Sequence, residues 1–246
     1  MTDSVERFAN LRVAVTGAAG GIGQSIVERL LREGAEVYGL DRRGLDSIPT
    51  GARGIEMDLT SPESVATVVS ALYADDPRPV HLVNSAGIVE DNVAAEDMSI
   101  EQFDAVLGVN LRGVFITCQA FGRELLARGG GAIVNIASMS GNAVVNYPQR
   151  QSAYNTSKAA VTALTKSLAV EWSPRGVRLN ALSPGYVDTP LNFLKADMHE
   201  TWKRDIVIDR FATPEEVAGA VAFLLSDDAA YFVGAELLMD GGYSLR

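Results

Sequence analysis

Short apolar runs alternate with longer segments that carry an apolar stripe along most of the chain. The apolar runs are the predicted strands: Leu11–Thr16, Ala35–Leu40, Arg53–Met57, Val80–Asn84, Ala132–Ala137, Val177–Leu182 and Glu236–Met239. Most of these runs are apolar on successive residues with little alternation. This pattern is typical of strands that are covered on both faces of a parallel sheet.

The segments between the runs are expected to be helices: Ile22–Glu33, Pro62–Tyr73, Ser99–Arg128, Ser152–Trp172 and Pro214–Ser226. Two of them begin with a capping residue and a proline at the first helical position, at Ser61-Pro62 and Thr213-Pro214. Alternation of strand and helix favours right-handed crossovers and a doubly wound parallel sheet. The prediction is a single α/β domain over residues 1–246 with about seven strands flanked by helices.

Composition and charge exclude several classes of function. The chain has 246 residues, of which 47% are hydrophobic and 21% charged, and this is ordinary globular composition. Its net charge of −10 disfavours nucleic acid and anionic membrane surfaces, because both attract basic protein faces. One cysteine, Cys118, and two histidines leave no basis for a disulfide framework or for a cysteine- or histidine-rich metal centre.

Neither an apolar signal core nor a run long enough for a bilayer is evident in the sequence. The start of the chain is polar, and the longest apolar run, Val217–Leu225, is far shorter than the roughly 20 residues that a membrane helix needs. We therefore expect a cytoplasmic protein with no metal, no nucleic acid and no membrane partner.

A glycine-rich turn follows the first predicted strand. Thr16–Gly23 reads T-G-A-A-G-G-I-G and runs directly into a helix. Glycines allow a tight turn and let a pyrophosphate approach the helix N-terminus, where free N–H groups favour anions. A loop that merely packs the helix against the strand is the structural alternative. The position of the turn favours dinucleotide binding, with Gly17, Gly21, Ile22 and Gly23 as contacts.

An acidic residue at the end of the second predicted strand bears on the choice of cofactor. Asp41 lies 18 residues beyond Gly23. A carboxylate near this separation accepts hydrogen bonds from an adenosine ribose and repels a 2′-phosphate, which favours NAD. Arg42 and Arg43 are the opposing signal, because an arginine there can pair with the 2′-phosphate of NADP. We give the acid more weight and predict NAD.

A tyrosine and a lysine are placed for acid–base chemistry. Tyr154 and Lys158 are four residues apart and share one face of a predicted helix. An ammonium one turn from a phenol favours the phenolate, which lowers the tyrosine pKa toward the range useful for proton transfer. An exposed aromatic–lysine pair on a helix surface is the structural alternative.

The order of several motifs resembles the short-chain dehydrogenase/reductase family along essentially the whole chain. The motifs are Thr16–Gly23, Asp58-Leu59, Asn84–Gly87, Asn110, Ser138, the pair Tyr154 and Lys158, and Pro184–Thr189. The resemblance implies a Rossmann-type fold and hydride transfer between a nicotinamide cofactor and a carbon that alternates between alcohol and carbonyl.

The resemblance also implies roles for four catalytic residues. Tyr154 is the implied general acid–base, and Lys158 lowers its pKa and holds the nicotinamide ribose. Ser138 hydrogen-bonds the substrate oxygen, and Asn110 holds a water that connects Lys158 to solvent.

Further cofactor contacts follow from the same resemblance. Asp58 and Leu59 are implied at the adenine. Asn84, Ala86 and Gly87 are implied along the middle of the cofactor. The turn at Gly185 leads to Val187 and Thr189, which are implied to hold the carboxamide.

The stretch between Ser138 and Tyr154 resembles the polyol dehydrogenases, the branch of this family that oxidises sugar alcohols such as galactitol and reduces ketoses. The implied substrate contacts are Ser138, Ser140, Asn146 and Tyr154, and Asn142 and Gln151 are further hydrogen-bonding candidates. The segment Asn142–Val145 is one residue longer than in that branch. The segment Pro190–Phe211 is predicted to be a mobile lid, with a fixed cover over the core as the alternative.

Three other functions compete with polyol oxidation. A 3-oxoacyl-carrier-protein-type reductase would use NADPH, and Asp41 and the acidic charge disfavour it because a carrier protein is itself acidic. A hydroxysteroid oxidation requires a more apolar pocket. A non-catalytic nucleotide-sensing module is disfavoured because all four catalytic positions are filled.

The two longest predicted helices indicate self-association. Ser99–Arg128 and Ser152–Trp172 carry more small and apolar residues than one sheet face requires. Together with the family resemblance, this predicts a homotetramer with two-fold axes.

Overall fold

A computed structural model describes residues 6–145, 148–190 and 198–246, and seven parallel strands form one sheet in it. The strands are β1 Arg12–Thr16, β2 Glu36–Asp41, β3 Arg53–Glu56, β4 Val80–Asn84, β5 Gly131–Ile136, β6 Val177–Pro184 and β7 Glu236–Met239. Their order is β3-β2-β1-β4-β5-β6-β7, so the direction of winding reverses between β1 and β4. All seven predicted strands and the doubly wound parallel topology are confirmed.

Helices cover both faces of the sheet. In the described residues they are α1 Gly21–Arg32, α2 Pro62–Leu72, α3 Ile100–Leu107, α4 Val114–Ala127, α5 Met139–Asn142, α6 Ser152–Trp172, α7 His199–Asp205 and α8 Pro214–Leu225. The predicted caps are in place, because the side chains of Ser61 and Thr213 accept hydrogen bonds from the amides of Ser64 and Glu216. The two shortest helices, α5 and α7, were not predicted because neither is long enough for an apolar period.

The predicted helix Ser99–Arg128 is interrupted. A π-helical turn, Gly108–Gly113, separates α3 from α4. A side chain at Gly113 would lie 1.8 Å from a methyl carbon of Leu59, so glycine is needed where this turn meets the loop after β3. The wider turn places Asn110 inside the protein, where it is fully buried. Such turns are frequent at functional sites.

The continuous helical stretch Ile100–Ala127 is long and apolar enough, by length and composition, to cross a membrane. In this fold it is a helix of the core, since Cys118, Phe121 and Leu125 are fully buried against the sheet. Burial raises the pKa of the Cys118 thiol to about 12.

Two apolar layers explain why the strands lack alternation. On one face α2, α4 and α6 cover the sheet, and on the other face α1 and α8 do so. In β1, Ala14 contacts the first layer while Val13 and Val15 contact the second, and all three are fully buried. Burying each such side chain contributes about 1.5–3 kcal/mol. Both faces of a central strand must therefore be apolar.

A third apolar cluster anchors the described part of the predicted lid. It contains Met139, Tyr186, Trp202, Ile206 and Phe211. Trp202 is 1% exposed and stacks on Tyr186 with ring centroids 4.3 Å apart. Trp202 and Ile206 thus pack into the domain, as expected for a fixed cover. The rest of the segment, with Leu191, Phe193 and Leu194, lies outside the described residues, and closure of a lid stays a prediction.

Candidate active site

A cleft of about 670 Å³ opens at the carboxyl ends of β1, β2 and β4, next to the point where the winding reverses. In open parallel sheets this position is the usual ligand site. Many of the predicted cofactor contacts line it: Gly17, Gly21, Ile22, Gly23, Asp41, Asp58, Leu59, Ala86, Gly87 and Thr189.

The glycine turn is shaped by close backbone approach. A Cβ at Gly23 would lie 2.0 Å from the carbonyl oxygen of Gly17, and a Cβ at Gly17 would lie 2.7 Å from Cα of Ala86. Gly17 also has φ +67°, which favours glycine. Gly20 precedes α1 and offers no side-chain cap to the first N–H groups of this helix. This cradle fits a pyrophosphate.

Asp41 lies at the rim of the same cleft. Its carboxylate accepts hydrogen bonds from the amides of Ala19, at 3.1 Å, and Arg43, at 3.3 Å. The acid is thereby held beside the glycine turn. Arg42 lines the cleft as well, so the two opposing signals for cofactor choice lie at the same end.

The loop after β3 forms the wall opposite the glycine turn. Asp58 accepts hydrogen bonds from the hydroxyl and the amide of Thr60, at 2.7 and 2.9 Å, and these hold the pKa of Asp58 below its usual range. Leu59 packs on Gly113 of the π-helical turn. Both residues line the cleft, and their contact with an adenine stays a prediction.

The side chain of Asn84 does not line the cleft, which corrects the expectation that it contacts the middle of the cofactor. It is 2% exposed. Its amide nitrogen donates to the side-chain oxygen of Asn135 at 2.9 Å, and its oxygen accepts from the hydroxyl of Thr117 at 2.8 Å. Both halves of the amide are used to join β4 to β5 and α4. The backbone beyond it, at Ala86 and Gly87, lines the cleft instead.

Residues after β6 close the cleft on its other side. The amide of Gly185 donates to the carbonyl oxygen of Met239 at 2.8 Å, and a Cβ at Gly185 would lie 2.8 Å from Cα of Asp240. Val187 is 4% exposed and pairs with Ala212, so its side chain packs in the core. Thr189 lies beside Gly21 at the cleft.

Three of the predicted catalytic residues lie together. Tyr154 and Lys158 are on α6, and Ser138 immediately precedes α5 at the end of β5. The hydroxyl of Ser138 lies near that of Tyr154 and favours the phenolate, which lowers the pKa of Tyr154. The ammonium of Lys158 donates to the carbonyl oxygen of Ile136 at 2.8 Å and lies 5.8 Å from the centroid of the Tyr154 ring.

The electrostatic balance at Tyr154 differs from the one expected from sequence. Desolvation raises the pKa of Tyr154, the nearby Ser138 hydroxyl opposes this, and the charge of Glu90 adds to it. Burial also lowers the pKa of Lys158 to about 8. In the chain alone the pKa of Tyr154 is therefore raised, and its lowering by Lys158 stays a prediction.

Asn110 joins this group from the π-helical turn. Its side-chain oxygen accepts from the amide of Ile88 at 2.8 Å, and its nitrogen donates to the carbonyl of Ile88 at 2.8 Å and to the hydroxyl of Ser157 at 3.1 Å. A Cβ at Gly87 would lie 3.4 Å from both the Asn110 oxygen and the Lys158 nitrogen. Asn110 thus lies near Lys158 and clamps the loop after β4. Its role in holding a water stays a prediction.

The predicted polyol contacts divide into two groups. Ser140 is 4% exposed, and its amide donates to the Ser138 hydroxyl at 3.2 Å, so it lies next to the catalytic group. Asn142 instead donates to the carboxylate of Glu236 on β7 at 3.1 Å, which turns it away from Tyr154. Asn146 lies outside the described residues.

Sequence reasoning missed Glu90. This residue is 7% exposed, and its carboxylate accepts hydrogen bonds from the amides of Ala153 and Tyr154 at the start of α6. The one signal in the sequence is that Gln151, before this helix, is a poor cap. That signal does not indicate which distant residue supplies the missing acceptor.

The chain matches a family model described as enoyl-(acyl carrier protein) reductase over residues 17–244. It is 41% identical to a galactitol 2-dehydrogenase (L-tagatose-forming) of Cereibacter sphaeroides, over 98% of both chains. It is 39% identical to a D-threitol dehydrogenase of Mycolicibacterium smegmatis, over 94% of this chain and 92% of the relative. It is 36% identical to an NAD-dependent glycerol dehydrogenase of Listeria innocua, over 94% and 93%.

Solved structures share the fold along the whole chain. The crystal structure of gox2181 superposes with a TM-score of 0.94 at 37% identity and covers 100% of both chains. A putative 2-deoxy-D-gluconate 3-dehydrogenase of Agrobacterium tumefaciens, solved with bound NADP, has a TM-score of 0.87 at 34% identity and covers 99% of this chain and 100% of its own.

Proposed function

The chain belongs to the short-chain dehydrogenase/reductase family, and we propose that it oxidises a polyol to a ketose with NAD as the hydride acceptor. At the level of reaction class it is an oxidoreductase that acts on CH–OH groups. The observation that carries the proposal is that Ser138, Tyr154 and Lys158 lie together, next to a cleft that fits a dinucleotide.

The proposed mechanism assigns one task to each of these side chains. The bound nicotinamide supplies hydride transfer. In the oxidation, the Tyr154 phenolate removes the proton of the substrate hydroxyl, and Ser138 holds the same oxygen by a hydrogen bond. The Lys158 ammonium stabilises the phenolate, and Asn110 keeps the neighbouring loop in place. Because burial opposes the phenolate, the rate of oxidation is expected to rise with pH.

The preference for NAD is supported by Asp41. Its carboxylate stands at the rim beside the glycine turn, where a 2′-phosphate would meet a negative charge. The relative from Listeria innocua is named as NAD-dependent. Arg42 at the same rim and the NADP in the Agrobacterium structure point the other way. We give the charge of Asp41 more weight, because it is held next to the turn by its hydrogen bond to Ala19.

The polyol class is supported by the relatives and by the polar surroundings of Tyr154. The relatives named for galactitol and threitol cover the chain almost completely. Ser140 adds a polar group beside Ser138. Reduction of a 3-oxoacyl chain on a carrier protein with NADPH is the second candidate, favoured by the match to a family described as enoyl-(acyl carrier protein) reductase. The net charge of −10 disfavours it, because carrier proteins are acidic.

We further propose a cytoplasmic homotetramer assembled through α4 and α6. Phe115 on α4 is 41% exposed and Val170 on α6 is 77% exposed, and both are apolar. Burial of such residues between two-fold related copies removes them from water. Sedimentation tests this assembly, and a stable monomer at micromolar concentration would contradict it.

The experiment for the activity is a panel of alcohols with NAD. Galactitol, threitol, sorbitol, xylitol and short 1,2-diols are supplied with NAD, and the nicotinamide absorbance is followed across pH. We expect turnover with at least one polyol and an increase in rate with pH. Cofactor binding without reduction by any secondary alcohol would overturn the proposal and favour a nucleotide-sensing function.

A further inference from the structure

We propose that Glu90 is a positioning residue for this reaction, because its carboxylate holds the first turn of α6 and so places the Tyr154 hydroxyl at Ser138 and the cleft. The inference rests on the proposed function only for the identity of the reaction. The contact itself joins the loop after β4 to a helix whose first residue, Ser152, lies more than 60 residues further along the chain.

The start of α6 has no cap of its own. Gln151 stands at the N-cap position and makes no side-chain hydrogen bond to the helix, so the first N–H groups need an acceptor from elsewhere. One oxygen of Glu90 accepts from the amides of Ala153 at 2.9 Å and Tyr154 at 3.1 Å, and the other oxygen lies 3.1 Å from the amide of Tyr154. A carboxylate at the N-terminus of a helix also interacts favourably with the helix dipole.

Asn110 of the candidate active site holds the loop that carries Glu90. Asn110 binds both the amide and the carbonyl of Ile88, two residues before Glu90. The same Asn110 donates to Ser157 on α6, and the Ser157 hydroxyl donates to the carbonyl oxygen of Tyr154 at 2.7 Å. Asn110, the loop and the first turns of α6 therefore form a closed ring of hydrogen bonds. Glu90 is the member of the ring that binds the backbone of Tyr154 directly.

The second consequence of the contact is electrostatic. The charge of Glu90 adds to desolvation in raising the pKa of Tyr154. The other polar groups facing the phenol are the Ser138 hydroxyl, which lowers the pKa, and the Lys158 ammonium, whose nitrogen lies 5.8 Å from the ring centroid. A neutral acceptor at position 90 would preserve the cap and remove only the charge. The two effects of Glu90 are therefore separable.

The test compares Glu90→Gln with Glu90→Ala, and Glu96→Gln is the matched control. Glu96 is an exposed carboxylate of the same loop. We expect Glu90→Ala to lower Tm by about 2–4 °C, because the first turn of α6 loses its acceptor in a domain of this size. We expect its kcat to fall about 10- to 100-fold, because a small misplacement of the acid–base group slows the reaction.

Glu90→Gln is expected to recover most of the loss in kcat and Tm, because its side-chain oxygen can still accept from the two amides. Loss of the negative charge lowers the pKa of Tyr154, so the rising limb of kcat for oxidation moves to lower pH. Glu96→Gln is expected to match the wild type in kcat, Tm and pH profile. The Kd for NADH, measured by fluorescence, is expected to stay unchanged in all three variants.

Two results would overturn the proposal. One is a wild-type kcat and pH profile in both Glu90 variants, and the other is a loss of Tm in Glu90→Ala with no change in kcat or in the pH limb. If the wild type oxidises no alcohol, the proposed function fails, and the ultraviolet titration of Tyr154 decides separately. The difference spectrum against Tyr154→Phe reports that titration, and an equal midpoint in the wild type and Glu90→Gln would then refute the role of Glu90.

Discussion

The two halves of the candidate site, the cleft and the neighbouring group around Tyr154, are built in different ways. At the cofactor end, the surface is mainly backbone from one local segment, the glycine turn between β1 and α1, with Asp41 at its rim. At the reaction end, side chains from segments far apart in the chain meet at Tyr154. The first half depends on the absence of side chains, and the second on the exact partners of a few buried ones. Changes in the first half should therefore act on cofactor affinity, and changes in the second on kcat.

The sharpest test of this division is Tyr154→Phe. Removal of the acid–base group is expected to lower kcat about 10²–10⁴-fold, which is the usual contribution of general acid–base catalysis. The Kd for NADH, measured by fluorescence, should change little, because the cradle of Gly17 and Gly23 is untouched. A loss of NADH affinity as large as the loss in kcat would show that the two halves are not separable.

A second prediction separates loss of the fold in acid from loss of chemistry. Burial, with the charge of Arg178 adding to it, lowers the pKa of His81 to about 4 from an ordinary value of 6.5. The unfolded chain therefore binds a proton below pH 6.5 that the folded chain takes up only near pH 4. Stability is expected to fall across this window by about 3 kcal/mol from this residue, and no contribution is lost above pH 6.5.

Urea unfolding at several pH values measures this effect, and His81→Asn is the comparison. His81 accepts a hydrogen bond from the amide of Ala132 at 3.1 Å, so the variant loses some stability at every pH. The prediction concerns only how steeply the free energy of unfolding changes with pH. A wild type and a variant with the same dependence on pH between 6.5 and 4 would contradict it.

Gly23→Ala tests the cofactor half. Its Cβ would lie 2.0 Å from the carbonyl oxygen of Gly17, so the turn must open. We expect the Kd for NADH to rise at least about 10-fold, because the amides at the start of α1 would move away from the phosphates of the cofactor. The pH profile of any remaining turnover should match that of the wild type.

The control for this change is Gly219→Ala on α8. The nearest heavy atom to its Cβ would be an Arg29 nitrogen at 3.5 Å, which is ordinary contact. This variant should bind NADH like the wild type and gain about 0.5–1 kcal/mol of stability from the better helix former. Weakened binding in both variants would point to a general loss of fold.

The smallest expected effect on the use of the cofactor belongs to Asp41→Ala. Removal of the carboxylate should weaken NAD and improve NADP, and we expect the ratio of kcat/KM values to shift roughly 10-fold toward NADP, about 1.4 kcal/mol. Arg42→Ala is the opposite change and should leave NAD preferred. An unchanged ratio in Asp41→Ala would show that this carboxylate does not face the ribose.

The features that could be predicted from the sequence are mostly local, like the glycine turn, and those that could not depend on distant segments, like the group around Tyr154. All seven strands were predicted, and the glycine turn, Asp41 and the Tyr154/Lys158 pair could be recognised, because each depends on residues close together in the chain. The side chains of Asn84 and Asn142 instead bind Asn135 and Glu236, which come from distant segments that local sequence does not indicate. The raised pKa of Tyr154 was not predicted because desolvation depends on everything that surrounds the phenol.

The local sequence was sufficient to predict the sheet, its doubly wound topology and the anion cradle. Apolar periodicity and glycine spacing are patterns that extend over only a few residues. Which buried amides find which acceptors depended on packing. Glu90 lies in a loop without regular structure, and no periodic pattern relates it to Tyr154. The two residues meet because parallel strands bring successive carboxyl ends to one edge, and there a helix without its own cap takes up the nearest carboxylate.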